Sequence, residues 1–199
     1  EDLVSIGTKK APYQEQAEDE DQYQMLKSLE LTFDEFRLIR AHCAENNILF
    51  LSTAFDQESF KFLNTLDLPF WKIPSGEITN VPFLIAVAST RKPIVLSTGM
   101  STLDEIVFAL KTLRDHGAKD ITLLHCTTAY PTPLNEANLR AMTTLHEHFD
   151  LPVGYSDHTE GDIAAVAAVA LGAIFLEKHF TIQHLHRITY SIENAMAKK

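Results

Sequence analysis

From Thr32 onward the chain alternates between short apolar runs and amphipathic stretches. The apolar runs are Ile48–Phe55, Phe70–Ser75, Pro93–Thr98, Ile121–Cys126, Leu151–Ser156 and Ala173–Thr181. Helical spacing occupies 57–67, 80–90, 102–116, 136–148 and 161–171. An earlier helix starts at Thr32, has Phe36, Ile39, Ala41 and Cys43 at roughly helical spacing, and stops at Asn46-Asn47. Thr32-x-x-Glu35 and Thr102-x-x-Glu105 are capping boxes, in which hydroxyl and carboxylate each satisfy one free N–H of the first turn. The strand runs are apolar nearly throughout rather than alternating. Strands buried on both faces read that way, as in a parallel sheet covered by helices. The first thirty-one residues break the pattern: Glu15 to Asp21 carries five acids in seven residues, and a polar loop or arm is expected over 1–31.

Six strand–helix units make an α/β chain, either a doubly wound sheet or a (β/α)8 TIM barrel. Polar residues decide between them. Nearly every run ends in chemistry: Ser52-Thr53, Lys72 with Ser75-Gly76-Glu77, Ser97-Thr98-Gly99, His125-Cys126-Thr127-Thr128, Ser156-Asp157-His158 and Glu177-Lys178-His179. A barrel spreads its site over the C-terminal ends of several strands. A doubly wound sheet gathers its groups at one switch point and usually shows a glycine fingerprint after the first strand, which is absent here. The barrel is therefore expected over 32–181, incomplete, with about six units present and the first two missing. Residues 182–199 read as a separate tail.

Charge narrows the partners. Lys+Arg is 17 and Asp+Glu is 27, a net charge of −10, which disfavours nucleic acid and anionic membrane surfaces. The longest uncharged apolar stretch, Ile163 to Leu176, has 14 residues, short of the ~20 that cross a bilayer. Two cysteines, Cys43 and Cys126, are too few for a disulfide scaffold, and no secretory leader opens the chain, so a cytoplasmic location is expected.

His158 and His179 each follow an apolar strand with one helix between them. Neighbouring parallel strands lie ~4.8 Å apart, so the two imidazoles can share a metal ion, or each can make its own hydrogen bonds. Lys72 stands inside a strand run, where a lysine needs an anion: an internal carboxylate, a substrate phosphate or carboxylate, or a carbonyl in a Schiff base. The hydroxyls Thr53, Ser75, Ser97, Thr98, Thr127, Thr128 and Ser156 stand at strand ends, where they supply neutral donors around an anion or simply end strands, as hydroxylic residues often do. Tyr130, in Ala-Tyr-Pro-Thr-Pro, is either placed by its stiff loop to meet a ligand or merely anchors that loop. His184-x-His186 reads as part of the tail, and His42, His116, His146 and His148 fall on helical stretches.

Five strings together resemble the sialic acid synthase family, the synthases of N-acetylneuraminate, legionaminate and pseudaminate. They are Lys72-Ile-Pro-Ser-Gly-Glu77, Leu96-Ser-Thr-Gly-Met100, His125-Cys-Thr-Thr-Ala-Tyr-Pro-Thr-Pro133, Gly154-Tyr-Ser-Asp-His-Thr159 and Glu177-Lys-His-Phe-Thr181. The resemblance implies a (β/α)8 barrel that condenses phosphoenolpyruvate with an N-acylated aminohexose, such as N-acetylmannosamine, giving a nonulosonic acid and phosphate. It implies a divalent metal, Mn2+ with Mg2+ or Co2+ as alternatives, on His158 and His179. It places Lys72, Ser75, Thr53, Ser97, Thr128 and Ser156 on phosphoenolpyruvate, and Glu77 and Tyr130 toward the sugar. Lys72, Glu77, His158 and His179 are the expected catalytic set, and the full-length protein is expected to be a homodimer.

The sequence departs from that family at both ends. The two opening βα units are not seen, and after Thr181 the chain reads Ile182-Gln-His-Leu-His, unlike the family's usual continuation. This length of chain is expected to be inactive alone. Two other readings stay open at this point: a Schiff-base aldolase with Lys72 as nucleophile, and a non-catalytic sugar- or phosphate-binding remnant.

Overall fold

The computed structural model describes residues 4–10 and 21–180. It divides into two compact units, one of Glu1–Asp67 with His179–Lys199 and one of Leu68–Lys178.

The first unit carries three described helices, α1 (Gln22–Leu29), α2 (Phe33–Glu45) and α3 (Gln57–Asn64). Helix α1 corrects the expectation of a loop or arm over 1–31. Asp21 caps it, accepting from Gln24 N at 2.8 Å and from Gly7 N at 2.8 Å, and Met25 is its buried residue. One buried side chain per two turns leaves almost no apolar periodicity to detect. At α2 the predicted capping box forms, with Glu35 Oε2 accepting from Thr32 N at 2.7 Å. Phe33 stacks on Phe62 with ring centroids 4.1 Å apart, and Phe36 meets Phe62 edge-on at 6.1 Å. The expected strand Ile48–Phe55 is not found: residues 48–54 form no ladder among the described residues. Apolar content does not by itself make a strand; a hydrogen-bonded neighbour does.

The second unit holds a five-stranded, wholly parallel sheet in the order β1 (Trp71–Ile73), β2 (Ile94–Ser97), β3 (Ile121–Cys126), β4 (Val153–Asp157) and β5 (Leu176–Lys178). Helices α4 (Val81–Ser89), α5 (Leu103–Asp115), α6 (Ala141–Phe149) and α7 (Ile163–Ala170) connect successive strands. Thr102 caps α5 through the second predicted box, with Glu105 Oε2 2.7 Å from Thr102 N. Helix α6 is shorter than expected over 136–148, because Asn138 takes φ +45° and separates it from a 3-10 turn at Leu134–Glu136. Residues 181–199, with His184 and His186, lie outside the described residues.

Sequential order with no reversal is barrel topology, and the sheet is curled. Laid flat, β1 and β5 would stand about four strand spacings, ~19 Å, apart. Instead Lys72 Nζ on β1 bonds Glu177 Oε1 on β5 at 3.0 Å, and Phe70 meets Phe175 with centroids 5.7 Å apart. The unit is an incomplete (β/α) barrel.

Register sorts the side chains into two faces. The pairs Trp71↔Ile94, Ile73↔Leu96, Ile94↔Ile121 and Leu96↔Leu123 place one apolar set together, and these side chains are buried. Each stabilises the fold by ~1.5–3 kcal/mol relative to exposure. The alternate positions Lys72, Ser97, Cys126, Ser156 and Glu177 take the other face, inside the curl.

Candidate functional site

The polar groups of the inner face collect at the C-terminal ends of the strands. Register sets Ser156 opposite Glu177, and Ser156 Oγ donates to Glu177 Oε1 at 2.6 Å. Glu177 also takes Lys72 Nζ on both oxygens, at 3.0 and 2.9 Å. The internal carboxylate that Lys72 can meet is thus present and comes from the far strand. Ser156 Oγ lies 3.3 Å from His158 Nε2, so the chain of contacts runs Lys72, Glu177, Ser156, His158.

His158 is fixed on its other side. Its Nδ1 sits 2.7 Å from the carbonyl of Thr127, an acceptor, which makes Nδ1 the protonated nitrogen and leaves Nε2 basic. Tyr130 lies against the same ring with centroids 4.3 Å apart. Burial depresses the pKa of His158 below its ordinary value, and the Thr127 carbonyl and the Glu177 charge partly oppose that shift. The ring is therefore held neutral, the form that ligates a metal.

Gly99 explains how two hydroxyls and a thiol meet. A Cβ at Gly99 would stand 2.7 Å from Cys126 Sγ, 2.8 Å from Thr128 Oγ1 and 3.2 Å from Ser75 Oγ. Only the absent side chain lets Ser75, Cys126 and Thr128 close around that backbone. Ser97 is buried beside Cys126 and hydrogen-bonds its thiol. Burial pushes the Cys126 pKa up, so the thiol stays protonated and lines the site rather than attacking a substrate.

Of the expected residues, Lys72, Ser75, Ser97, Thr128, Tyr130, Ser156 and His158 all belong to this unit. Glu77 occupies the 3-10 turn Ser75–Glu77, where its carboxylate accepts from Asn80 Nδ2 at 2.6 Å. Thr53 and His179 belong to the other unit. Among the described residues no group of three or more His, Cys, Asp or Glu is gathered as a metal site. Sequence reasoning missed Glu177 as the hub of the cluster. It also missed Asp157 and Lys178, which pair on the opposite face of β4 and β5. The Glu-Lys-His string was visible; that Glu177 reaches back to Lys72, 105 residues earlier, was not.

A parallel βα barrel whose polar groups line the C-terminal rim is the architecture of barrel enzymes. The chain belongs to the NeuB family, which matches residues 1–190. It is 54% identical over 183 residues to an N,N'-diacetyllegionaminic acid synthase of Campylobacter jejuni, covering 90% of this chain and 55% of that protein. It is 44% identical over 186 residues to a synthase of the same description from Legionella pneumophila, covering 90% and 52%. Among solved structures it resembles the N-acetylneuraminic acid synthetase of Leptospira borgpetersenii, with a TM-score of 0.76 at 34% identity, over 85% of this chain and 60% of that one. The chain spans about half the length of the curated relatives it matches. The family resemblance and the incomplete barrel are both borne out. Among the described residues no helix is long and apolar enough to cross a membrane.

Proposed function

We propose that the whole protein condenses phosphoenolpyruvate with the open-chain aldehyde of an N-acylated aminohexose, giving a nonulosonic acid and phosphate. The enol carbon adds to the aldehyde, water adds to the carbon that carries the phosphate ester, and phosphate leaves with cleavage of that C–O bond. One observation carries the reading: in a chain of this family, Lys72, Glu177, Ser156 and His158 are linked across the inside of the curled sheet. Two relatives that share 54% and 44% identity with it are both described as synthases of a doubly N-acetylated acid. That favours a hexose with two acetamido groups as acceptor, with N-acetylmannosamine second.

In this reading Lys72, Ser75, Ser97, Thr128, Ser156 and Thr53 bind the phosphate and carboxylate of phosphoenolpyruvate. Cation and hydroxyl donors are the groups such an anion requires. Glu177 already occupies Lys72, so an anion must share the ammonium with it or displace it. Glu77 and Tyr130 face the sugar. His158 and His179 hold a divalent cation, Mn2+ before Mg2+ or Co2+. The donor set fits at His158: the Thr127 carbonyl takes the Nδ1 proton, and Nε2 is the basic nitrogen. When bound, the cation supplies Lewis-acid polarisation of the sugar aldehyde. A cytoplasmic homodimer is the expected setting.

The Schiff-base alternative needs Lys72 as a neutral amine, whereas here it is the cation of an ion pair. The test is phosphate release by the whole-length protein with phosphoenolpyruvate, Mn2+ and a panel of aminohexoses. Sugar-dependent release that disappears in His158→Ala supports the synthase. A borohydride-trapped adduct on Lys72 with pyruvate would replace it with an aldolase.

A further inference from the structure

Directly behind the Ser156–Glu177 pair lies a second cross-strand pair that the proposed reaction does not use. Register sets Asp157 opposite Lys178, and Lys178 Nζ lies 2.6 Å from Asp157 Oδ2. Asp157 is 1% exposed, and a buried carboxylate persists only when its oxygens are satisfied. Its other oxygen, Oδ1, accepts from Thr159 N and from Thr159 Oγ1, each at 2.8 Å. Lys178 Nζ then donates to the Thr159 carbonyl at 3.0 Å. Asp157 and Lys178 together therefore grip every polar group of Thr159, the residue after His158.

That grip continues around the histidine. The His158 carbonyl accepts from Thr132 N at 2.8 Å, and Thr132 bridges Thr159 in parallel. Thr132 Oγ1 donates to the Ala129 carbonyl at 2.8 Å, which ties in the turn that carries Tyr130 and follows Thr127, the acceptor for the His158 ring. The backbone on both sides of His158 is thus pinned. That backbone is the base from which the ring reaches the Thr127 carbonyl and Ser156.

We propose that Asp157 and Lys178 are positioning residues that hold His158 in its Nδ1–H tautomer, with Nε2 aimed at the site. This rests on the metal-binding role given to His158 above. The pair touches no substrate in this reading and acts on the site through that imidazole, while Asp157 also hydrogen-bonds the Tyr155 side chain. Groups that orient metal-ligating histidines typically change metal affinity by 10- to 100-fold when removed.

The test uses the whole-length protein carrying Asp157→Asn, Lys178→Met or Lys178→Arg, with Leu123→Val as a control that loosens the core elsewhere. The imidazole 15N signals of His158 are recorded without metal at pH 8, and Mn2+ affinity is titrated separately. Wild type is expected to show the Nδ1–H tautomer with a protected proton. Asp157→Asn and Lys178→Met are expected to lose that protection and to bind Mn2+ about 10-fold or more weakly. Lys178→Arg restores both, and Leu123→Val changes the melting temperature alone. If Asp157→Asn does not fold, Thr159→Val opens the same ring through one hydroxyl. Folded variants with the wild-type His158 spectrum overturn the proposal. If wild type releases no phosphate with any sugar, the synthase reading fails, and the His158 spectrum still decides the clamp.

Discussion

Two histidines at neighbouring strand ends look alike until their faces are compared. His125 is the last residue but one of β3 and His158 follows β4. Both are 8% exposed, and burial lowers the pKa of both. Each ring bonds a backbone carbonyl, His125 that of Ala137 at 2.9 Å and His158 that of Thr127 at 2.7 Å. Yet His125 shares the outer face with Tyr155, its register partner, and the two rings stack at 5.7 Å. His158 stands beside Ser156 within the fields of Glu177 and Lys72. Burial and a depressed pKa therefore do not mark a functional histidine. The face it occupies and the ions around it do.

The largest expected effect separates the two directly. His158→Ala should lower phosphate release by the whole-length protein at least ~100-fold, since even groups that only orient a ligand are worth 10- to 100-fold. It should also cost ~2–4 kcal/mol, since the ring is as buried as His125 and its loss strands the Thr127 carbonyl. His125→Ala should cost as much through lost packing and a stranded Ala137 carbonyl, with turnover per folded molecule nearly unchanged. Equal losses of turnover in two equally folded variants would erase the distinction.

The two ion pairs extend the same comparison. Lys178→Met leaves the fully buried Asp157 carboxylate without its cation, and a cost of ~2–4 kcal/mol is expected by chemical denaturation. Lys72→Met leaves Glu177, whose side chain is 39% exposed and can hydrate, so ~1–2 kcal/mol is expected. The reverse order would mean that the inner pair, not the outer one, carries the stability. Glycines give a smaller contrast in the same assay. Gly99→Ala drives a Cβ into Cys126 and Thr128 and should cost ~1–3 kcal/mol, partly recovered in a Thr128→Ala background. Gly76→Ala meets nothing within 4 Å and should be neutral or stabilising by up to ~1 kcal/mol.

What was legible from sequence follows the same division. The strands β1, β2, β3 and β5 lie within predicted runs and β4 passes the end of its run by one residue, Asp157, because helices cover one face and the interior the other, so few polar residues interrupt them. Both capping boxes formed, since they are local. Ser75, Ser97, Thr128, Ser156 and His158 stood out as candidates because each stands at or within two residues of the end of a run. Ile48–Phe55 failed as a strand because pairing is not local, and α1 escaped because only Met25 is buried on it. The Lys72–Glu177 link depends on the curl of the whole sheet. The division of labour between Ser156 and Asp157 depends on register, and a shift of one residue would exchange their faces.

The smallest expected effect is a pH dependence at the residue assigned no chemistry. Burial lowers the His125 pKa in the folded state below its ordinary value of 6.5. The unfolded chain then takes up a proton at a higher pH than the folded one does. Between the two pKa values the unfolded state binds more protons, so stability rises with pH in that window. The contribution is fully present above about pH 6.5. It starts to fall as pH drops through that value and goes on falling to the lower folded pKa. The stability advantage of wild type over His125→Gln should therefore be constant between pH 7.5 and 8.5 and shrink from pH 6.5 to 5.5. His158 shifts in the same direction, so His125→Gln should flatten the wild-type pH slope without abolishing it. Denaturation midpoints at those four pH values measure it. A wild-type advantage that grows on acidification would mean that the folded state welcomes the proton, with the Ala137 hydrogen bond outweighing burial.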